Sequence, residues 1–364
     1  MSKSSAASQL KRHWSTMSIV GAMCMATAHA FHLVPASSVA FVLPAAIFLI
    51  GTVFAAVEHA EVISHRIGEP FGSIVLAGAV TIIEVALIVS IMMSGTDDSG
   101  EIARDTVFAT LMIVLNGVVG LCLLTGGILH REQEFHATGA AAALCVLGTL
   151  ATLTLILPNY TLAVPGPYYS NFQLGFVSAV SLILYVLFLF VQTVRHRNYF
   201  TDVTACPDVV RPSGRASLLS GAILFAALTM VILLAEDLTP VVSDAVTSAG
   251  LNSELIGVLI AAVVLMPEGT TAVRAARANR IQTSLNLGLG SALASIGLSI
   301  PTVAILSILL ERPITLGLES DHIVQIVLTL FIGTITLATG RTTILQGGVH
   351  LVIFLVFVLM AAAP

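Results

Sequence analysis

The stretch TIIEVALIVS, residues 81–90, places one carboxylate, Glu84, among side chains that are nearly all aliphatic. The run continues upstream through FGSIVLAGAV (71–80) and downstream through IMM (91–93), which makes it about as long as a bilayer is thick. What such a carboxylate is for depends on what surrounds the chain, and composition answers that. Of the 364 residues, 57% are hydrophobic and 10% charged, and the mean hydropathy is +1.00. A soluble domain carries roughly 25% charged residues, because water must meet its surface. Apolar runs of this length recur along the chain between short polar segments, which is the pattern of membrane helices. The fold class expected is an all-α integral membrane protein, with the lipid bilayer as a partner and no nucleic-acid partner. The net charge of −5 says little, since lipid covers most of the surface. Cys24, Cys122, Cys145 and Cys206 lack paired spacing, so neither a disulfide frame nor a zinc site is expected.

Eleven spans are expected, at approximately 17–34, 39–64, 70–94, 106–129, 138–157, 173–194, 216–235, 254–274, 282–309, 323–340 and 343–362. The first follows MSKSSAASQLKRHW with no convincing small-residue cleavage site, so it reads as a span and not a signal peptide. The basic residues test the count. With a cytoplasmic N-terminus, Lys3, Lys11, Arg12, Arg66, Arg131, Arg195, Arg197, Arg211, Arg215, Arg274, Arg277, Arg280 and Arg341 fall inside, and only Arg104 and Arg312 fall outside. A split of 13 against 2 out of 15 is what the positive-inside rule asks of a correct topology. The expected location is a bacterial inner membrane, N-terminus cytoplasmic and C-terminus outside.

The longest polar segment, RHRNYFTDVTACPDVVRPSGR (195–215), cuts the chain near its middle. It divides the chain into a cytoplasmic N-terminus with the first span (1–38), five spans (39–194), a cytoplasmic linker (195–215) and five more spans (216–364). Five is odd, so the second set enters from the opposite side, as in the inverted-topology repeats of many secondary transporters. The second half should then carry a counterpart of Glu84. It does: ELIGVLIAAVVLMPEGTTAVRAA sets Glu268 between Pro267 and Gly269. Proline removes a backbone donor and glycine loosens a helix, so a break is expected there and near Gly290. Laying RDTVFATLMIVLNGVVG (104–120) over NRIQTSLNLGLGSALAS (279–295) brings Asn116 opposite Ser291, and a one-residue offset sets LNG over LGS.

Here the residues resemble a family. GVLIAAVVLMPEG followed by NLGLGSALASIGLSIP looks like the second repeat of the calcium/cation antiporter superfamily, and more narrowly of the bacterial calcium/sodium–proton antiporters. HAEVISHRIGEPFGSIVLAGAVTIIEVAL is similar to the first repeat of proton-coupled cation exchangers, where a Glu, a Ser and spaced Gly precede a buried Glu. The likeness covers roughly 55–120 and 254–305. Many relatives carry Gly-Asn-Ala shortly before each buried Glu, whereas this chain has Thr81-Ile82-Ile83 and Leu265-Met266-Pro267. The resemblance implies antiport of a cation against protons, with no cofactor and no enzymatic reaction.

The residues allow that chemistry. Glu84 and Glu268 could share a cation, with Thr81, Asn116, Ser291 and the carbonyls around Pro267 and Gly290 adding neutral oxygens. Calcium takes six to eight oxygens, so two carboxylates favour Ca2+ slightly over Na+ or K+. When the cation leaves, the same oxygens can take protons, and that mutual exclusion is the basis of antiport. A blander reading is two protonated glutamates hydrogen-bonded inside the bundle. Glu58, Glu61 and His65, at i, i+3 and i+7, line one helix face as an access path or merely a polar helix end. They also open an alternative, a membrane-embedded metalloenzyme, beside a further one, a non-transporting scaffold. The acids Asp97, Asp98, Glu101, Asp105, Glu236, Asp237, Asp244 and Glu254 read as external loop faces.

Overall fold

A computed structural model describes residues 3–32, 34–35, 38–68, 71–93, 99–201, 212–252, 254–310 and 314–363. Asp97, Asp98, Arg312 and residues 202–211 of the 195–215 linker, with Cys206 and Arg211 among them, lie outside these. The described chain forms eleven helical rods: α1 Lys3–Ala30, α2 Val39–Ile67, α3 Phe71–Met93, α4 99–130, α5 Ala137–Tyr160, α6 Asn171–Arg195, α7 Gly214–Ser248, α8 Glu254–Arg277, α9 281–310, α10 Ser320–Ala338 and α11 Ile344–Ala362. Among the described residues nine rods, α2 and α4 to α11, are long and apolar enough to span a membrane. The described apolar part of α3, Gly78–Val89, is shorter.

Helix is the natural choice for these runs, because lipid offers no partner to an unpaired N–H or C=O. That constraint also overrides the break expected at Pro267. α8 runs through Pro267 and Gly269 as one helix, and α9 is helical through Gly290. Proline withholds a single N–H, whereas unwinding would strand several groups. Thr270 Oγ1 donates to the Pro267 carbonyl at 2.8 Å. The irregular backbone lies elsewhere, in π turns at Ile113–Val118 of α4, Thr152–Ile156 of α5, Val191–Arg195 of α6 and Ser295–Ser299 of α9. A second correction concerns α7. Its 35 residues rise about 52 Å at 1.5 Å each, beyond the ~30 Å hydrocarbon core. Glu236, Asp237 and Asp244 therefore ride on a helical extension and not in a loop.

The core is built by α3, α4, α8 and α9, which pack against one another, with α4 and α9 the most buried of the spans. The remaining contacts come in matched pairs. Exchanging α2–α6 with α7–α11 carries the α3–α9 contact onto α8–α4, α4–α11 onto α9–α6, and α2–α8 onto α7–α3. α1 stands apart, packed on α2 and α7 over a small core of Ala22, Phe41, Ala45, Leu234 and Leu238. The loops meet at two ends as eleven passes require. At one end Arg66 Nη1 donates to Pro212 O at 2.8 Å, and Gln133–Glu134 pairs antiparallel with Arg341–Thr342 in the tight α10–α11 turn. At the other, Arg104 Nη1 donates to Gly317 O at 3.1 Å, and Asn159 Nδ2 to Leu318 O at 2.7 Å.

Candidate functional site

Glu84 of α3 and Glu268 of α8 are 5% and 6% exposed and lie close enough to interact electrostatically. Burying a carboxylate is costly unless its oxygens find donors. Here hydroxyls from the two most buried helices supply them. Glu84 Oε1 accepts from Thr110 Oγ1 of α4 at 3.0 Å and from Ser295 Oγ of α9 at 2.5 Å. Glu268 Oε2 accepts from Ser291 Oγ of α9 at 2.5 Å. Thr81 is buried one helical turn from Glu84. Each hydroxyl that donates to a carboxylate also carries lone pairs. The same oxygens can therefore turn toward a cation.

The hydroxyl positions correct the register between the halves. Asn116 makes no hydrogen bond to either glutamate among the described residues. It sits in the α4 π turn facing α10 and α11, where its Nδ2 donates to Thr329 Oγ1 at 2.9 Å. Its Oδ1 accepts from His350 Nδ1 at 3.0 Å, and His350 Nε2 lies 3.3 Å from Thr336 Oγ1. The geometric partner of Ser291 is Thr110. Thr110 follows Glu84 by 26 residues and Ser291 follows Glu268 by 23. The sequence signal was available, since sliding the alignment back from Asn116 sets Ala109-Thr110 over Gly290-Ser291. Ser295 carried no such signal, because it bonds the glutamate of the other half.

In this register the counterpart of Ser295, four residues beyond Ser291, is Val114, four beyond Thr110. Val114 indeed lines a small void beside Glu268, with Val118, Leu265, Gly269, Ala272, Leu287, Gly288 and Ser291. The two carboxylates are thus unequal: Glu84 is held by two hydroxyls, and Glu268 faces a methyl surface where a second hydroxyl would stand. Pro267 is buried and Gly269 lies against Val118, so both serve the close approach of α8 to α4.

Glu58 and His65 are exposed and Glu61 is half-buried. Glu61 accepts a hydrogen bond from Thr271 and lies within electrostatic reach of His65, Glu58 and Arg274. The trio therefore borders α8 just past Glu268. Among the described residues no group of three or more His, Cys, Asp or Glu is placed to hold a metal ion.

With this geometry in hand, comparison with known proteins is informative. The family described as sodium/calcium exchanger protein matches over residues 37–194 and 219–363. The chain is similar to the ionic transporter y4hA of Sinorhizobium fredii, 53% identical over 348 residues, covering 95% of this chain and 94% of that one. It is also similar to the sodium-potassium/proton antiporter ChaA of Escherichia coli, 32% identical over 327 residues and 88% of each chain. The solved H+/Ca2+ exchanger CAX shares its fold with a TM-score of 0.72 at 14% identity, over 95% of this chain and 88% of that one. Multi-pass membrane architecture, cation transport and the likeness predicted from residues 55–120 and 254–305 all agree with these matches. The chain is a member of the sodium/calcium exchanger family.

Proposed function

We propose that the protein is a secondary active antiporter that exchanges Ca2+ for H+ by alternating access, with Glu84 and Glu268 holding cation and protons in turn. The observation that carries this reading is the pair of buried carboxylates, Glu84 bonded to a hydroxyl from each of α4 and α9 and Glu268 to one from α9. A charge at the bilayer centre costs roughly 2.5–3.5 kcal/mol on the insertion scale, and two at matched positions call for a function. Thr81, Thr110, Ser291 and Ser295 add neutral oxygens. The paired helix contacts support two inverted five-helix units, 39–194 and 216–364, joined by the 195–215 linker, and the two family-matched segments divide at that linker. Glu58, Glu61 and His65 then border the approach from the end where the basic loops gather, which the charge split assigns to the cytoplasm.

One observation favours a second reading for the ion. Val114 stands beside Glu268 where Glu84 has a second hydroxyl, so the oxygen shell on that side is the poorer one for an ion that takes six to eight oxygens. The Escherichia coli relative is moreover a sodium-potassium/proton antiporter by name. Everted vesicles containing the full chain, offered calcium, sodium and potassium in parallel, test both. Proton movement driven by calcium is expected. Movement driven by sodium or potassium alone would transfer the assignment to the monovalent ion, and none with any cation would refute antiport.

A further inference from the structure

We infer that His322, with Glu254 and Asp105, forms a proton-holding station at the end of the bundle opposite the basic loops, and that it supplies Glu84 through α4. The inference rests on the antiport reading. His322, in the first turn of α10, is 2% exposed. Its Nε2 lies 3.3 Å from Glu254 Oε2 at the start of α8, and its ring lies against Phe108 of α4 with centroids 4.6 Å apart. Asp105, on the same helix as Phe108, also acts on it electrostatically. Asp105 Oδ1 accepts from Arg104 Nε at 2.7 Å. The solvent-facing Asp321 lies 3.7 Å away on the same helix as His322, and Glu101 and Glu319 act on Arg104 from the rim. Among the described residues, Glu254, Asp321 and Asp105 are the charged groups acting on His322.

The charges do not balance as they stand. Arg104 contributes one positive charge, while Asp105 and Glu254 contribute two negative ones, all largely withdrawn from water. Neutrality is reached when His322 takes a proton. The atom available for it is Nδ1, which is buried and has no hydrogen-bond partner among the described residues. The path inward follows α4. Thr106 and Thr110 are one turn apart on one face, and Thr110 donates to Glu84 Oε1. From Asp105 to Thr110 the helix rises about 7.5 Å. A proton taken up on Nδ1 makes the imidazolium. Its transfer inward along that face of α4, each hydroxyl on the way accepting one proton and releasing its own, protonates Glu84 and leaves His322 neutral.

The opposite end is built differently at the matching place. Asn286 stands five residues before Ser291, as Asp105 stands five before Thr110. Asn286 is neutral: it donates to Phe200 O and accepts from Gln282 Nε2 at 2.9 Å, while Gln282 Oε1 accepts from His136 N at 2.7 Å. At the place on α9 that matches Asp105 on α4, an amide array therefore stands where α4 carries a titratable one.

The test uses purified full-length protein in proteoliposomes, with pH varied on one side at a time. Wild-type flux should respond between about pH 5 and 8 to pH on the side of His322, the range in which histidine changes charge. His322→Gln keeps a donor for Glu254 but cannot titrate. It should lose that response and slow exchange at least about tenfold, while cation affinity measured from the opposite side stays unchanged. A uniform slowing with the pH profile intact would mean that His322 merely ties α8 to α10, and would overturn the proposal. Should His322→Gln fail to insert, Glu254→Gln decides. It loosens the hold on the proton and should move the profile toward acid, and an unmoved profile refutes the station. Wild-type protein that shows no cation-coupled proton flux removes the antiport reading and the station together. Normal wild-type flux with unmoved variants removes the station alone.

Discussion

Ser295→Ala is the most discriminating single change, because it touches one carboxylate across the boundary between the halves. Its hydroxyl donates to Glu84 Oε1 at 2.5 Å from α9, inside the buried core. Alanine removes that oxygen and adds no bulk, so the helix should stay in place. A hydrogen bond to a charged group is worth roughly 1.5–3 kcal/mol, and the ionised carboxylate is the form that binds a cation. At 1.4 kcal/mol per decade, cation affinity should fall roughly ten- to a hundredfold. Thr110 still holds the same oxygen at 3.0 Å, which argues for the lower end of that range. The readout is the half-saturating cation concentration in proteoliposomes at fixed pH, with maximal flux at saturating cation largely preserved. Wild-type affinity in Ser295→Ala, alongside loss of exchange in Glu84→Gln, would refute the reasoning. It would mean that the hydroxyl serves helix packing and not the carboxylate.

Glu84→Gln and Glu268→Gln should each abolish cation-driven proton flux in everted vesicles while leaving normal amounts of folded protein, since a neutral amide is cheaper to bury than a carboxylate; substantial flux in either rules that residue out as a shared site. Val114→Ser should strengthen cation binding, measured as a lower half-saturating concentration, by giving Glu268 the second hydroxyl that Glu84 already has. Asn116→Ala should leave cation affinity near wild type but lower thermal stability in detergent by about 1–3 kcal/mol, because His350 and Thr329 lose a buried partner. In the native protein, cation affinity should fall as pH drops across the transport range, since protons compete for the same oxygens; a pH-independent affinity would separate the proton site from the cation site.

The membrane setting, the eleven helical segments, and Glu84 and Glu268 as the residues to watch were all legible in the order of residues. The reason is energetic: lipid makes every charge costly and every unpaired backbone group more so. A carboxylate in an aliphatic run is therefore conspicuous without coordinates. The tertiary structure decided which side chains meet those carboxylates. Each residue turns a helix by about 100°, so a partner across two helices depends on rotation that hydropathy does not record. The π turn at Ile113–Val118 changes that rotation midway along α4, and directs Asn116 toward His350 while Thr110 and Val114 face the glutamates. Ser295 reaches Glu84 from the other half, a pairing 211 residues apart that no local pattern encodes. Likewise, the continuity of α8 through Pro267 followed from what surrounds it, since the bundle and lipid penalise an unwound turn more than the one donor that proline withholds.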